Sequence, residues 1–239
     1  VGRPTLTYGF SEDAAYRIRE VKSDQRQCFF TIDRPDDLPS LSINLSIPGR
    51  HNALNAAAAI AVASDEGLSD QAIVTALREF GGVGRRFEKI GDYPVKDGTA
   101  TLYDDYGHHP TEVQATIQAV RDGWADQRLV MIFQPHRYTR TRDLYEEFVG
   151  VLSTVDVLLV LDVYSAGEEV IAGATSKTLC GSIRQRGHID PIYVANLEGV
   201  PELLAELLKD GDLVMTQGAG SVSKLVSMLA DSQLGQVPL

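Results

Sequence analysis

From about residue 99 to the end, the chain repeats one pattern: a short apolar run, a polar loop, then an amphipathic stretch. No other feature restricts the fold so tightly. Residues 100–104, 129–133, 157–161, 192–194 and 213–216 read as strands, and residues 111–121, 142–152, 176–186, 201–209 and 222–229 read as helices. Strands that are apolar throughout belong in a mostly parallel sheet covered by helices on both faces. Right-handed crossovers then place the loops after the strands along one edge, where open α/β sheets bind ligands. The predicted fold class is α/β.

The earlier part of the chain reads differently. Residues 5–10, 16–21, 28–32 and 41–47 follow a period of two between Asp- and Pro-rich turns, the pattern of antiparallel or edge strands. An Ala-rich helix follows from His51 to about Glu66, with Gly67 as its stop. A second runs from Ser69 to about Phe80, with Ile73, Leu77 and Phe80 on one face. Gly81-Gly82-Val83-Gly84 then breaks the pattern, so the predicted domains are 1–84 and 85–239.

The charge balance narrows the function. Against 22 Lys and Arg stand 33 Asp and Glu, a formal charge of −11 over 239 residues. That balance is unsuited to holding nucleic acid or an anionic membrane over a broad face. A cationic site must therefore be local. No apolar run approaches the roughly 20 residues that span a bilayer; the most apolar one, from Val155 to Val163, contains Asp156 and Asp162. Cys28 and Cys180 are far apart and form no CxxC pair, which fits a reducing cytosol. The opening Val1-Gly2-Arg3-Pro4 carries neither Met nor a signal peptide and reads as a point within a longer protein.

Four strand-end loops hold the unusual residues. They are Asp104-Asp105-Tyr106-Gly107-His108-His109-Pro110, Gln134-Pro135-His136-Arg137-Tyr138-Thr139-Arg140, Tyr164-Ser165-Ala166-Gly167-Glu168-Glu169 and Gln217-Gly218-Ala219-Gly220-Ser221, and one crevice should receive them all. Asp104-Asp105 suits ribose hydroxyls or a cation's water shell, or is only a polar strand end. His108-His109 resembles a metal pair, but adjacent side chains diverge, so no metal ligand is assigned. Arg137 and Arg140 beside His136 and Tyr138 make a compact cationic site whose forked donors suit carboxylate or phosphate; the alternative is surface pairing with Glu146 or Glu147. Asn52 and Asn55, three apart, share a helix face and suit an adenine edge, or Asn52 is a helix cap. Gly218-Ala219-Gly220-Ser221 and the segment 173–178 resemble phosphate loops but lack the G-x-x-x-x-G-K-[ST] spacing.

Read in order, His51-Asn52-Ala53-Leu54-Asn55, Gly84-Arg85-Arg86-Phe87, the segment from Asp104 to Glu112 and the segment from Phe133 to Thr141 resemble the Mur ligases. The likeness extends over essentially the whole chain. It is most specific from Gln134 to Thr141, which favours the member that joins L-alanine to UDP-N-acetylmuramate over the one that recycles intact murein peptides. The resemblance implies the end of a central ATP-binding domain followed by a Rossmann-like domain that presents the amino acid, with Gly81, Gly82 and Gly84 as a hinge. It implies ATP-dependent amide-bond formation through an acyl phosphate, in cytoplasmic peptidoglycan precursor synthesis and hence in cell wall biogenesis, cell shape and division. His51, Asn52, Asn55, Arg86 and Asp105 would then bind ATP. Tyr106, His108, His136, Arg137 and Arg140 would bind substrate, with Arg137, Arg140 and His108 the catalytic group. The family's phosphate loop and Mg2+ ligands belong to a preceding segment, so this chain alone is expected to be inactive. A non-catalytic nucleotide- or anion-binding module of a larger assembly is the alternative, and a preceding G-K-T loop would distinguish the two.

Overall fold

The computed structural model describes residues 5–237, so Val1-Gly2-Arg3-Pro4 lies outside the described residues. The chain divides into two compact units. One runs to Gly82 and takes in Gln118–Ala125; the other comprises Val83–Ile117 and the chain from Asp126 onward. Val83 and Gly84, which the sequence reading gives to the first domain, group with the second. There the Arg86 N–H bonds the Val83 carbonyl in a turn at 3.1 Å, and Arg85 is tied to two strand ends.

In the first unit, β1 (Tyr8–Gly9), β2 (Tyr16–Asp24), β3 (Gln27–Asp33) and β4 (Leu41–Leu45) form one sheet in that order. The pairs β2–β3 and β3–β4 are antiparallel, as the alternation predicts, whereas the short β1 lies parallel to β2. The apolar positions share one face because side chains alternate along a strand. Ile18, Phe30, Ile32, Ile43 and Leu45 are buried with Ala53, Ala57 and Ile60 of α1 (Arg50–Asp65) in one core. Alanine suits both roles of α1, since it favours helix and lets the helix backbone approach the sheet closely. Helix α2 (Asp70–Glu79) is capped by Ser69, whose Oγ accepts the Ala72 N–H at 3.3 Å. Arg34 clamps Asp70 in the first turn of α2 with two bonds of 2.7 and 2.8 Å.

The second unit is a six-stranded sheet in the order β5-β6-β10-β7-β8-β9, built from β5 (Glu88–Val95), β6 (Gly98–Asp105), β7 (Leu129–Phe133), β8 (Val157–Leu161), β9 (Ile192–Val194) and β10 (Leu213–Gln217). Five strands are parallel and β5 pairs antiparallel with β6. The last strand, β10, inserts between β6 and β7. The carboxyl ends of β6, β10, β7 and β8 are therefore consecutive neighbours, which brings the four loops side by side.

Helices cover both faces. Val130, Ile132, Leu159 and Val214 pack with Val200 and Leu204 of α7 (Val200–Leu207) and Val222, Leu225 and Leu229 of α8 (Val222–Asp231). On the other face the Phe133 ring lies 5.6 Å from that of Phe148 in α5 (Tyr145–Leu152), and α5 packs beside α6 (Ser176–Arg186). Helix α3 (Pro110–Gly123) follows β6.

Two elements depart from the sequence reading. β5 is an additional strand. Its Gly91 and Pro94 disguise it, and proline is tolerated there because an edge strand has an N–H side without a ladder partner. The predicted helix 142–152 is two helices, α4 (Tyr138–Asp143) and α5, separated at Leu144 with φ −115° and ψ 28°. Arg140 thus lies on a helix, not in a loop.

Candidate active site

β6 ends in two buried carboxylates, and both are engaged. Asp104 accepts the Thr216 hydroxyl at 2.7 Å and the Arg85 Nε–H at 2.8 Å. Arg85 also donates from Nη2 to the Gly218 carbonyl at 2.7 Å. Asp105 accepts the Gly107 N–H and Gln217 Nε2, both at 2.8 Å, on Oδ1, and the Phe87 N–H at 3.0 Å on Oδ2. Segment 85–87, the end of β6 and the end of β10 are thereby locked together. Gly107 is required by this closeness: a Cβ there would lie 2.6 Å from Gln217 Nε2 and 2.7 Å from Asp105 Oδ1.

The next loop is organised by Glu112 in the first turn of α3. Its Oε2 accepts the N–H groups of His108 at 2.9 Å and His109 at 3.1 Å. Burial alone would raise the Glu112 pKa, but those two N–H groups, the His108 ring and Arg86 together hold it below the ordinary value. His108 Nδ1 lies 3.2 Å from the Tyr106 carbonyl. A carbonyl only accepts, so Nδ1 donates here.

Past β7 and β8 the parallel pairing continues for one more bridge, His136 to Tyr164. The Tyr164 N–H bonds the Pro135 carbonyl at 2.9 Å, and the Arg137 N–H bonds the Tyr164 carbonyl at 2.8 Å. Arg137 precedes α4 with φ 70°, a left-handed conformation uncommon outside glycine, and provides no side-chain cap. Arg140, one turn along, donates from Nη1 to His136 Nδ1 at 3.0 Å and to the His136 carbonyl at 3.1 Å. Arginine cannot accept, so His136 Nδ1 is the acceptor and its proton sits on Nε2. Burial, then the charges of Arg140, His108 and Arg137, push the His136 pKa down and keep it neutral.

These loops present a row of rings. Tyr106 meets His108 edge-on at 5.3 Å, His108 lies 5.7 Å from His136, and His136 stacks on Tyr164 at 5.5 Å and 14°. Arg85 and Arg86 sit over Tyr106 at 5.1 and 5.9 Å. Arg137, Arg140, His108, His136 and Tyr106 are thus brought together around this row. The surface pairing with Glu146 and Glu147 is not found: Glu146 pairs with Arg186 at 3.4 Å, and Arg137 approaches Glu168 at 3.5 Å.

His51, Asn52 and Asn55 lie in the first unit, on the first turns of α1. Asn52 does not cap the helix, since Gly49 holds that position; its Nδ2 donates to the Pro48 carbonyl at 2.7 Å. Asn55 is exposed, with Nδ2 3.4 Å from Asn52 Oδ1. Among the described residues, no group of three or more His, Cys, Asp or Glu is arranged to hold a metal ion. Asp104 and Asp105 are already engaged by Arg85, Thr216, Phe87, Gly107 and Gln217, so the paired carboxylates of this site do not fit Mg2+. Nor is any helix among them long and apolar enough to cross a membrane.

Several residues of the site escape sequence reasoning. Arg85 is locked in the brace while its neighbour Arg86, the predicted ligand, is exposed. Gln134 caps α8 from another strand, accepting the Val222 N–H at 2.9 Å and donating to Ser221 Oγ at 2.9 Å. The N-terminus of α8 is therefore partly satisfied within the protein. Only their positions at strand ends or in the loops that follow signalled Gln134, Gln217 and Glu168.

The second unit is an open, mostly parallel α/β sheet that gathers arginines and histidines at its strand ends. Residues 85–220 match the Mur ligase glutamate ligase domain, and residues 2–63 match the Mur ligase middle domain. The first match takes in more than half of the sequence, and the chain belongs to the Mur ligase family. Among solved structures, UDP-N-acetylmuramate–alanine ligase MurC from Thermotoga maritima is similar with a TM-score of 0.81 and 23% identity, over 97% of this chain and 48% of that one. MurF from Acinetobacter baumannii has a TM-score of 0.71 and 16% identity over 95% and 46% of the two chains. MurF from Thermotoga maritima, solved in complex with ADP, has 0.68 and 16% over 97% and 49%. These likenesses show the fold. The chain spans about half the length of the solved structures it matches.

Proposed function

We propose that this chain is the amino-acid- and adenine-binding part of a ligase that joins L-alanine to UDP-N-acetylmuramate at the expense of ATP, in the cytoplasm. The observation that carries the reading is the cluster of Arg137, Arg140, His108, His136 and Tyr106 on adjacent strand ends. Two forked cations suit one carboxylate and a developing phosphate charge. Tyr106 and Tyr164 are exposed in the same row, and their rings offer apolar surface to a methyl side chain.

In the proposed reaction, the muramate carboxylate attacks the γ-phosphorus of ATP, releasing ADP and forming an acyl phosphate. The alanine amine then attacks the acyl carbon and inorganic phosphate leaves. Arg137 and Arg140 hold the alanine carboxylate or the acyl phosphate. His108, whose Nδ1 faces the Tyr106 carbonyl, stands where it could take the proton that the amine must lose. His136 and Tyr106 line the pocket. His51, Asn52 and Asn55 meet adenine, and Arg86 meets the nucleotide. Asp105 has only one Oδ2 lone pair uncommitted for ribose, so it acts chiefly by holding its loop. The boundary between the ATP-binding part and the amino-acid part falls near residue 84.

Steady-state kinetics of Arg137→Lys and Arg140→Lys in the complete ligase, with alanine varied, test this. Lysine keeps the charge and loses the fork. Each loss of a charge-assisted contact in a closed site is expected to cost about 2–4 kcal/mol, or about 30- to 1,000-fold in kcat/KM. Parental kcat/KM for alanine in both variants refutes the placement.

A further inference from the structure

Helix α4 carries Arg140 and begins just after Arg137, yet it has no cap of its own. Its cap comes from the loop after β8. Glu168 accepts the Thr139 N–H at 3.0 Å on Oε2 and the Thr139 hydroxyl at 2.7 Å on Oε1, and it stands 3.5 Å from Arg137 Nη1. The same loop grips the other side of this segment through Tyr164, by backbone bonds to Pro135 and Arg137 and by stacking on His136. The conformation of Arg137, with φ 70°, thus lies between two points fixed from one neighbouring loop.

We propose that Glu168 is a positioning residue for amino-acid binding: by capping α4 through Thr139 it sets the direction of the Arg137 and Arg140 guanidinium groups. It touches neither reacting atoms nor substrate. Its role follows from the length of the lever. α4 has only six residues, so a small tilt at its first turn moves Arg140. A misplacement of about 1 Å in such a site costs on the order of 100-fold in rate. Gly167 with φ 88° and Ala166 with φ 51° turn the loop tightly enough for the carboxylate to reach Thr139.

This inference rests on the reading that Arg137 and Arg140 hold the alanine carboxylate or the acyl phosphate, and the experiment separates the two. Glu168→Ala and Glu168→Gln are made in the complete ligase beside Arg137→Lys and Arg140→Lys. The side-chain amide of Gln keeps an oxygen for the Thr139 N–H and sets an NH2 in place of the other oxygen, to which the Thr139 hydroxyl can turn as acceptor. Glu168→Ala is expected to lower kcat/KM for alanine by about 10- to 100-fold, with KM for ATP and the melting temperature near parental, and Glu168→Gln to recover most of the loss. Parental alanine kinetics in Glu168→Ala, or an equal loss in Glu168→Gln, overturns the cap even where both arginine variants fail. Parental kinetics in both arginine variants overturns the underlying site reading, and the proposal with it. Should Glu168→Ala not fold, Glu168→Gln alone decides: a loss above tenfold in kcat/KM for alanine overturns the cap, and near-parental kinetics upholds it.

Discussion

Asp105→Asn separates two roles for the acidic strand end. Asp105 accepts three hydrogen bonds, from Gly107 N–H and Gln217 Nε2 at 2.8 Å and from Phe87 N–H at 3.0 Å. Asparagine has one oxygen. Turned toward Gly107 and Gln217, that oxygen keeps two bonds but makes them neutral, at a cost of about 1 kcal/mol each. The amide NH2 then faces the Phe87 N–H, donor against donor in a buried place, for a further cost of about 1–3 kcal/mol. The opposite rotamer sets two donors against the amide and is worse. The sum is about 3–5 kcal/mol, which for a unit of this size lowers the melting temperature by about 6–20 °C. Thermal melts of the 239-residue chain followed by circular dichroism read this directly. A fall of less than about 3 °C refutes the brace and returns Asp105 to a purely ligand-contacting role.

Three further outcomes are expected. Gly218→Ala should lose about 1–3 kcal/mol by overpacking, measured by urea unfolding, because φ is +146° and the new Cβ would sit 2.8 Å from the Gln134 carbonyl. Burial pushes the thiols of Cys28 and Cys180 up to about 11; an aromatic disulfide reagent should label neither in native protein at neutral pH, and both in denaturant. The folded pKa of His136 lies below its ordinary value of about 6.5, chiefly through burial. As pH falls below that value the unfolded chain takes the proton first, so stability falls with pH in that window. Melts of His136→Gln should lack this part of the slope, and an unchanged slope counts against the assignment.

In the loops the unusual residue types were legible in the sequence, and the residues that hold them were not. Arg137, Arg140, His108 and Asp105 stand out because an acidic chain concentrates rare residue types at strand ends, and that needs no coordinates. The residues that hold them, Arg85, Glu168, Gln134 and Gln217, are ordinary types whose roles arise from partners far away in sequence, as with Arg85 and Gly218 or Gln134 and Val222. Strand β5 was hidden for a related reason: its Gly91 and Pro94 argue against a strand locally and are admitted only by its edge position. Helix α4 has no apolar period to announce it; Glu168, from the loop after β8, bonds its first turn.

By itself the sequence determined the elements whose cause is local. Apolar runs such as Leu129–Phe133 are buried at every position, and the Ala-rich α1 follows from propensity. Only the tertiary structure decided that β10, the last strand made, inserts between β6 and β7. Strand order has no local signature, since any of these apolar strands satisfies the backbone hydrogen bonds of any other. Yet that order makes four strand ends neighbours, and it makes the buried Asp105 the acceptor that binds Phe87, Gly107 and Gln217 together.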